Sequence, residues 1–169
     1  MHNRNYIFVH EESEADTLSM PEELRFARYA TPESIPPEQL YALKEAQGDV
    51  HVQEHLRWMR QGAVLWVAVL DGKIAGSQLC CLGRHLRRWF VPLQDHDLII
   101  FRVNTVSEFR GRGISPLMMR HIITHEAKGG ARTYADCKVY NRPSIRSIEK
   151  AGFRRIATAR PLSREEVVK

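Results

Sequence analysis

The chain has 169 residues, 43% hydrophobic and 27% charged, which suits one domain with a full core and excludes a disordered or fibrous chain. Its formal net charge is +5, yet residues 1–23 hold six carboxylates against one arginine, a net −5, so the remainder carries +10 and suits a polyanionic ligand, RNA or a membrane surface equally. Cys80, Cys81 and Cys137 have no C-x-x-C spacing, which excludes a disulfide framework and points to a reducing, cytoplasmic setting.

Charges interrupt the first twenty residues, so no export signal is expected, and no apolar run approaches the roughly 20 residues that span a bilayer. Residues 1–23 read as an extension. The short apolar run Tyr6–Val9 would add an edge strand beside the first core strand, and Glu11 to Met20 would form a solvated acidic loop. Leu24–Ala30 alternates and predicts that first core strand. Helices are predicted from about residue 37 to Gln47, stopped by Gly48, and from Val52 to Arg60, closed by Gly62. His51, Glu54, His55 and Trp58 belong to this second segment. They are either contacts to a bound molecule or the solvated face of a helix whose Leu56 and Met59 look inward. His51 and His55 do not follow the zinc-protease order, and no metal is expected.

Ala63–Leu70 and Lys73–Leu82 predict a hairpin around Asp71-Gly72. Gly83–Asp95 is a long basic connection. Its Trp89 and Phe90 either rim a binding site or tuck inward. His96–Thr105 is the fourth core strand. It runs into Arg110-Gly-Arg-Gly-Ile-Ser115, where Gly111 and Gly113 bracket Arg112 in a tight turn. Ser115 and Pro116 then read as the cap and first residue of a helix that carries Met118, Met119, Ile122 and Ile123 at helical spacing. Unpaired amides at a helix start attract anions, and two arginines add full charge, so the loop is either a phosphate site or a basic turn. Ala131–Val139 is the fifth strand, a helix follows from about Asn141, and Phe153–Ala159 is the sixth strand. The polar tail, residues 161–169, is expected to fray from Ser163 on.

Arg110–Ser115 resembles motif A of the GNAT superfamily of acetyl-CoA-dependent N-acetyltransferases, and Asn141–Phe153 is similar to that family's motif B, in the expected order and separation. The motifs cover residues 98–156, and strand order extends the likeness back to about residue 24. The resemblance implies a mixed α/β (α+β) GNAT fold over residues 24–160: a mostly antiparallel twisted sheet of six to seven strands, the fourth and fifth splayed, with four flanking helices. It implies acetyl transfer from acetyl-CoA to the primary amine of a small molecule or a protein N-terminus, by direct attack in a ternary complex. A longer-chain acyl or aminoacyl transferase and a non-catalytic CoA-binding module are the alternatives. An amine acceptor is the implied partner, a homodimer is allowed, and a membrane or nucleic acid is disfavoured.

Residue by residue, the resemblance places the CoA pyrophosphate on Arg110, Gly111, Arg112, Gly113, Ile114 and Ser115. It places the pantetheine arm along Asn104, Thr105 and Val106, with Asn141 and Ser144 nearby. It sets the first helical pair beside the acceptor groove, so His51, His55 and Trp58, with Trp89 from the long loop, become substrate contacts. Two departures stand out. Ser115 and Pro116 occupy positions where the family keeps a small residue and a backbone donor, and Ile148 replaces a tyrosine that often acts as general acid. Near the start of the fourth strand Asp95, His96 and Asp97 are the candidate bases; of these His96 titrates nearest neutrality and Asp97 is nearest the strand. Tyr140, Ser144, Ser147 or water is left to protonate the thiolate. Cys137 is read as core.

Overall fold

A computed structural model describes residues 3–11 and 18–169. Seven strands form one sheet: β1 (Asn5–His10), β2 (Leu24–Tyr29), β3 (Val64–Leu70), β4 (Lys73–Leu82), β5 (Leu98–Thr105), β6 (Thr133–Lys138) and β7 (Arg154–Ala159). Their order is β2-β3-β4-β5-β6-β1-β7, and only the β5–β6 pair is parallel. The helices are α1 (Pro37–Gln47), α2 (Asp49–Met59), α3 (Ile114–Glu126), α4 (Arg142–Lys150) and the short α5 (Arg164–Val167).

Strand side chains alternate between faces, so each face of the sheet buries its own core. On one face Phe8, Trp66, Ile100 and Ala135 pack under Met118, Met119 and Ile122 of α3 and Ile148 of α4. On the other, Ile7, Val9, Leu79, Ile99 and Tyr134 pack under Leu43 of α1 and Val52, Leu56 and Met59 of α2. Among the described residues no helix is long and apolar enough to cross a membrane.

Two expectations are corrected. The run Tyr6–Val9 is not an edge strand beside β2. It is β1, inserted between β6 and β7 and antiparallel to both. The physical reason is visible in its burial: Ile7 and Phe8 are wholly buried and Val9 is 3% exposed, so consecutive residues fill opposite cores. An uninterrupted apolar run marks a strand covered on both faces, not an edge. The acidic loop expected from Glu11 to Met20 lies partly outside the described residues, which omit 12–17.

The tail is not frayed. Ser163 caps α5 with Glu166 in a reciprocal capping box. Arg160 pairs with Glu166 at 2.6 Å, Arg87 N–H donates to the Val167 carbonyl, and Leu86 bridges Val168. Arg88 of the 83–95 loop also lies 3.5 Å from Glu166 of the tail, an ion pair that joins the two segments.

Replacing Phe8 by alanine should destabilise the fold by about 3–5 kcal/mol in urea denaturation, the cost of a large cavity in a close-packed core. A loss below about 1 kcal/mol would show that β1 is an ornament of the sheet and not a member of it.

Candidate functional site

The strands β5 and β6 pair only at Leu98↔Thr133, Ile99↔Tyr134 and Ile100↔Ala135, and part beyond that point. The cause lies on the other edge of β5. Leu79 faces Phe101 and Ser77 faces Asn104, so Arg102 and Val103 together oppose Gln78 in a bulge. Arg102 takes φ = 48°, in the left-handed region that a branched or long side chain avoids. The break in alternation turns Phe101 and Arg102 toward the same cavity. Gln78 is buried, and its Nε2 donates to the Ser115 carbonyl at 3.1 Å, tying the bulge to the first turn of α3.

The loop before α3 is built for an anion. Gly111 and Gly113 have φ of 78° and 74°, left-handed conformations that glycine adopts without strain. The helix begins at Ile114 with Gly113 as its cap, two residues before the Ser115 cap expected from sequence. The consecutive amides of Gly111, Arg112, Gly113, Ile114 and Ser115 have no acceptor among the described residues, and Leu117 is the first to bond back, to the Gly113 carbonyl. Such a row of N–H groups at a helix start is an anion nest. Arg110 donates through Nε to the Thr105 carbonyl at 3.2 Å, and Arg112 sits over the Phe109 ring. Lys150 of α4 adds a third cation: a Cβ on Gly113 would stand 3.7 Å from its Nζ.

On the opposite face, where β5 and β6 part, lies a cavity of about 380 Å³. Phe101 and Arg102 line it from β5, Asp136 and Lys138 from β6, Glu54 and Trp58 from α2, Trp89 and Phe90 from the long loop, and residues 161–164 with Val167 from the tail. Asn5 of β1 donates to Asp136 at 2.6 Å. Burial raises the Asp136 pKa above the usual 3.8, opposed in part by the Asn5 hydrogen bond and the Lys138 charge.

Behind Arg102 runs a polar chain into the core. Arg102 Nη2 donates to His51 Nδ1 at 3.2 Å, His51 packs against His55 with ring centroids 4.6 Å apart, and His55 Nε2 lies 3.1 Å from Ser77 Oγ and 3.3 Å from Gln47 Oε1. Burial, with the neighbouring charges of His51 and Arg102, lowers the His55 pKa to about 3.

Arg110, Gly111, Arg112, Gly113, Ile114 and Ser115 form one continuous turn into α3, while Asn141 and Ser144 stand at the start of α4. Asn141 Oδ1 accepts from the Ser144 amide at 3.3 Å and so caps that helix. Along β5, Asn104 pairs with Ser77 and the Val106 amide donates to Ala75, so Val106 has no free donor. Ladder bonds alternate sides, which directs the Thr105 amide into the gap, while its carbonyl accepts from Arg110 Nε. Trp58 and Trp89 do line the cavity, and Tyr140 stands exposed at the end of β6. Ser147 is half-buried on α4, while Ile148 is core.

Three placements differ from expectation. His96 and Asp97 stand before the first residue of β5, about 25 Å of strand from Thr105. Asp97 is buried and accepts from the amides of Gln94 and Arg132, so it fastens two loops, and His96 is exposed. His55 is wholly buried and cannot touch a substrate; it holds His51. The residues missed by sequence are Arg102, Asp136, Lys150 and the tail. Charges interrupting the apolar strands at Arg102 and Asp136 were the available signal. Among the described residues no group of three or more His, Cys, Asp or Glu converges as a metal site.

A parallel strand pair that opens beyond its third residue thus carries an anion nest on one face and a cavity on the other. The sequence model of the Acetyltransferase (GNAT) family matches residues 23–153, and the chain belongs to that family. No curated protein matches the sequence. Among solved structures, a GNAT acetyltransferase from Colwellia psychrerythraea is similar with a TM-score of 0.63 at 17% identity, over 92% of this chain and 53% of that one. A tandem GNAT protein from the clavulanic acid biosynthesis pathway gives 0.63 at 16%, over 95% of this chain and 55% of that one. These likenesses are of fold, and the chain spans about half the length of both proteins.

The His55 pKa gives a pH test of the polar chain. In the folded protein the pKa is about 3 against the usual 6.5. The stability contributed is therefore complete above pH 6.5 and is lost as pH falls from 6.5 toward 3, because only the unfolded chain takes up the proton. His55→Gln should flatten the fall in stability between pH 6 and 4 by about 1.4 kcal/mol per pH unit, measured by urea denaturation. An unchanged slope would mean that His55 already titrates normally in the native protein.

Proposed function

We propose that the protein transfers an acetyl group from acetyl-CoA to the primary amine of an acceptor held in the cavity beside α2, by direct attack with both substrates bound. One observation carries this reading: unpaired amides from Gly111 to Ser115 stand on one face of a strand gap that opens, on the other face, into a cavity lined by a half-buried carboxylate, Asp136. When bound, acetyl-CoA supplies the activated thioester. The Gly111–Ser115 amides with Arg110, Arg112 and Lys150 would hold its pyrophosphate, Thr105 its pantetheine arm, and Asn141 with Ser144 would flank that arm.

The remaining chemistry belongs to the chain. An alkylammonium ion is not nucleophilic until a base takes its proton. Asp136 faces the cavity with a raised pKa and replaces His96 and Asp97 in that role. Trp58, Trp89 and the Pro161–Val167 segment exclude water from the acceptor. Tyr140 is the hydroxyl we assign to the departing thiolate, since Ile148 has none to give. Cys137 does not serve as a nucleophile, because burial pushes its thiol up to about 12, with Asp136 and Glu149 adding to the effect. The free cysteines also support our placing the enzyme in the cytoplasm.

Calorimetry should show acetyl-CoA binding to the wild type and binding at least about tenfold weaker to the Arg110→Glu/Arg112→Glu variant. With an acceptor in hand, Asp136→Asn should lower kcat/KM by about 10²–10⁴, and the deficit should shrink as pH rises toward the amine's own pKa. Wild-type protein that binds no acetyl-CoA would end the reading. A pH-independent deficit would remove Asp136 from the base role.

A further inference from the structure

We infer that the acceptor is a free amino acid with an aromatic side chain, its carboxylate on Arg102, its amine at Asp136 and its ring among Trp58, Trp89, Phe90 and Phe101. The inference rests on the acyl-transfer reading of this site and specifies its substrate.

The charges lining the cavity carry the argument. Arg102 is partly buried, and no carboxylate lies within ion-pair distance of it among the described residues. Its Nη2 meets the imidazole of His51, and its Nε is buried with no partner. Breaking or withholding the partner of a buried charge is costly, and a guanidinium fork fits a carboxylate in bidentate fashion. The other cations of the cavity are already engaged. Arg164 lies over the Trp58 ring at 4.5 Å with Glu54 at 3.7 Å, and Lys138 donates to Asn3. Arg102 is also the residue held at φ = 48° by the bulge, a conformation that persists where the surrounding structure enforces it, as at binding sites.

Across the strand gap Asp136 supplies the opposite pole, on the same cavity. The two poles therefore match a zwitterion. The same cavity also has aromatic walls: Trp58 meets Phe101 edge-on at 4.9 Å, and Trp89 meets Phe90 at 5.1 Å. Such faces favour a flat ring in edge-to-face contact. The volume of about 380 Å³ is at the small end of the roughly 300–1,000 Å³ typical of small-molecule pockets. A polyamine would bring more positive charge to a cavity whose unpaired group is already a cation. A simple arylamine would leave Arg102 without its anion.

The test uses the intact protein and pairs of acceptors that differ only in the carboxylate: L-phenylalanine with phenethylamine, and L-tryptophan with tryptamine. Wild-type kcat/KM should favour each amino acid by at least about tenfold, the size expected for a hydrogen bond to a charged group. Arg102→Gln should shrink that ratio toward one. Without any donor, L-phenylalanine should change the fluorescence of Trp58 and Trp89 saturably, and phenethylamine should do so only at much higher concentration. Equal use of both members of each pair by the wild type would overturn the inference, whether or not the Arg102 variant folds. If acetyl-CoA binds and aliphatic amines are acetylated while these amino acids are not, the acceptor assignment alone fails. If acetyl-CoA does not bind, it falls together with the acyl-transfer reading.

Discussion

The structure depends on the point where β5 leaves β6. Up to Ile100 and Ala135 the two strands satisfy one another; beyond it their facing backbone groups have no strand partner. Unpaired backbone in a protein interior is costly unless water or a ligand meets it. The bulge at Arg102 enforces the parting, and the Gln78 side chain opposite the bulge anchors the first turn of α3. One local irregularity thus sets the gap, the aim of Arg102 and the position of the anion nest.

A strand that loses one neighbour needs the other to hold it. The pairing of β6 with β1 runs unbroken from Asn5↔Lys138 to His10↔Thr133. The N-terminal strand therefore keeps β6 straight while β5 turns away. It also brings Asn5 to Asp136, where its hydrogen bond partly offsets the burial that raises the pKa of that cavity carboxylate. The tail closes the opposite wall: Arg164 stacks on Trp58, and Glu166 joins Arg160 and Arg88. Both chain ends converge on the same cavity.

Local patterns were legible in the sequence and long-range placements were not. Glycines flanking Arg112, alternation from Leu24 and the helical stripe of Met118, Met119 and Ile122 each depend on neighbours a few residues away, and each appears as expected. The position of Tyr6–Val9 depends on strands more than a hundred residues distant. Its unbroken apolar run pointed to burial on both faces, but not to which neighbours. Asp97 was a candidate base because it stands nearest the fourth strand in sequence. Its actual partners, the Gln94 and Arg132 amides, come from two separate loops that no short motif reveals. His55 misled in the same manner: helical spacing put it beside His51, and only the packing of α1 against β4 determines that it is buried.

Two basic regions compete for a polyanion on this molecule: the nest from Arg110 to Ser115, and the segment from Arg84 to Arg88, which lines a second cavity with Lys169. The central claim is that the gap between β5 and β6, entered from the nest, is the donor site. The most direct measurement is an amide-resolved NMR titration of the full chain with CoA. The account predicts saturable shifts at Gly111, Arg112, Gly113, Ile114, Ser115 and Thr105, with Arg84, Arg87 and Arg88 unmoved. Shifts centred on Arg84–Arg88 with a silent Gly111–Ser115 loop would contradict it.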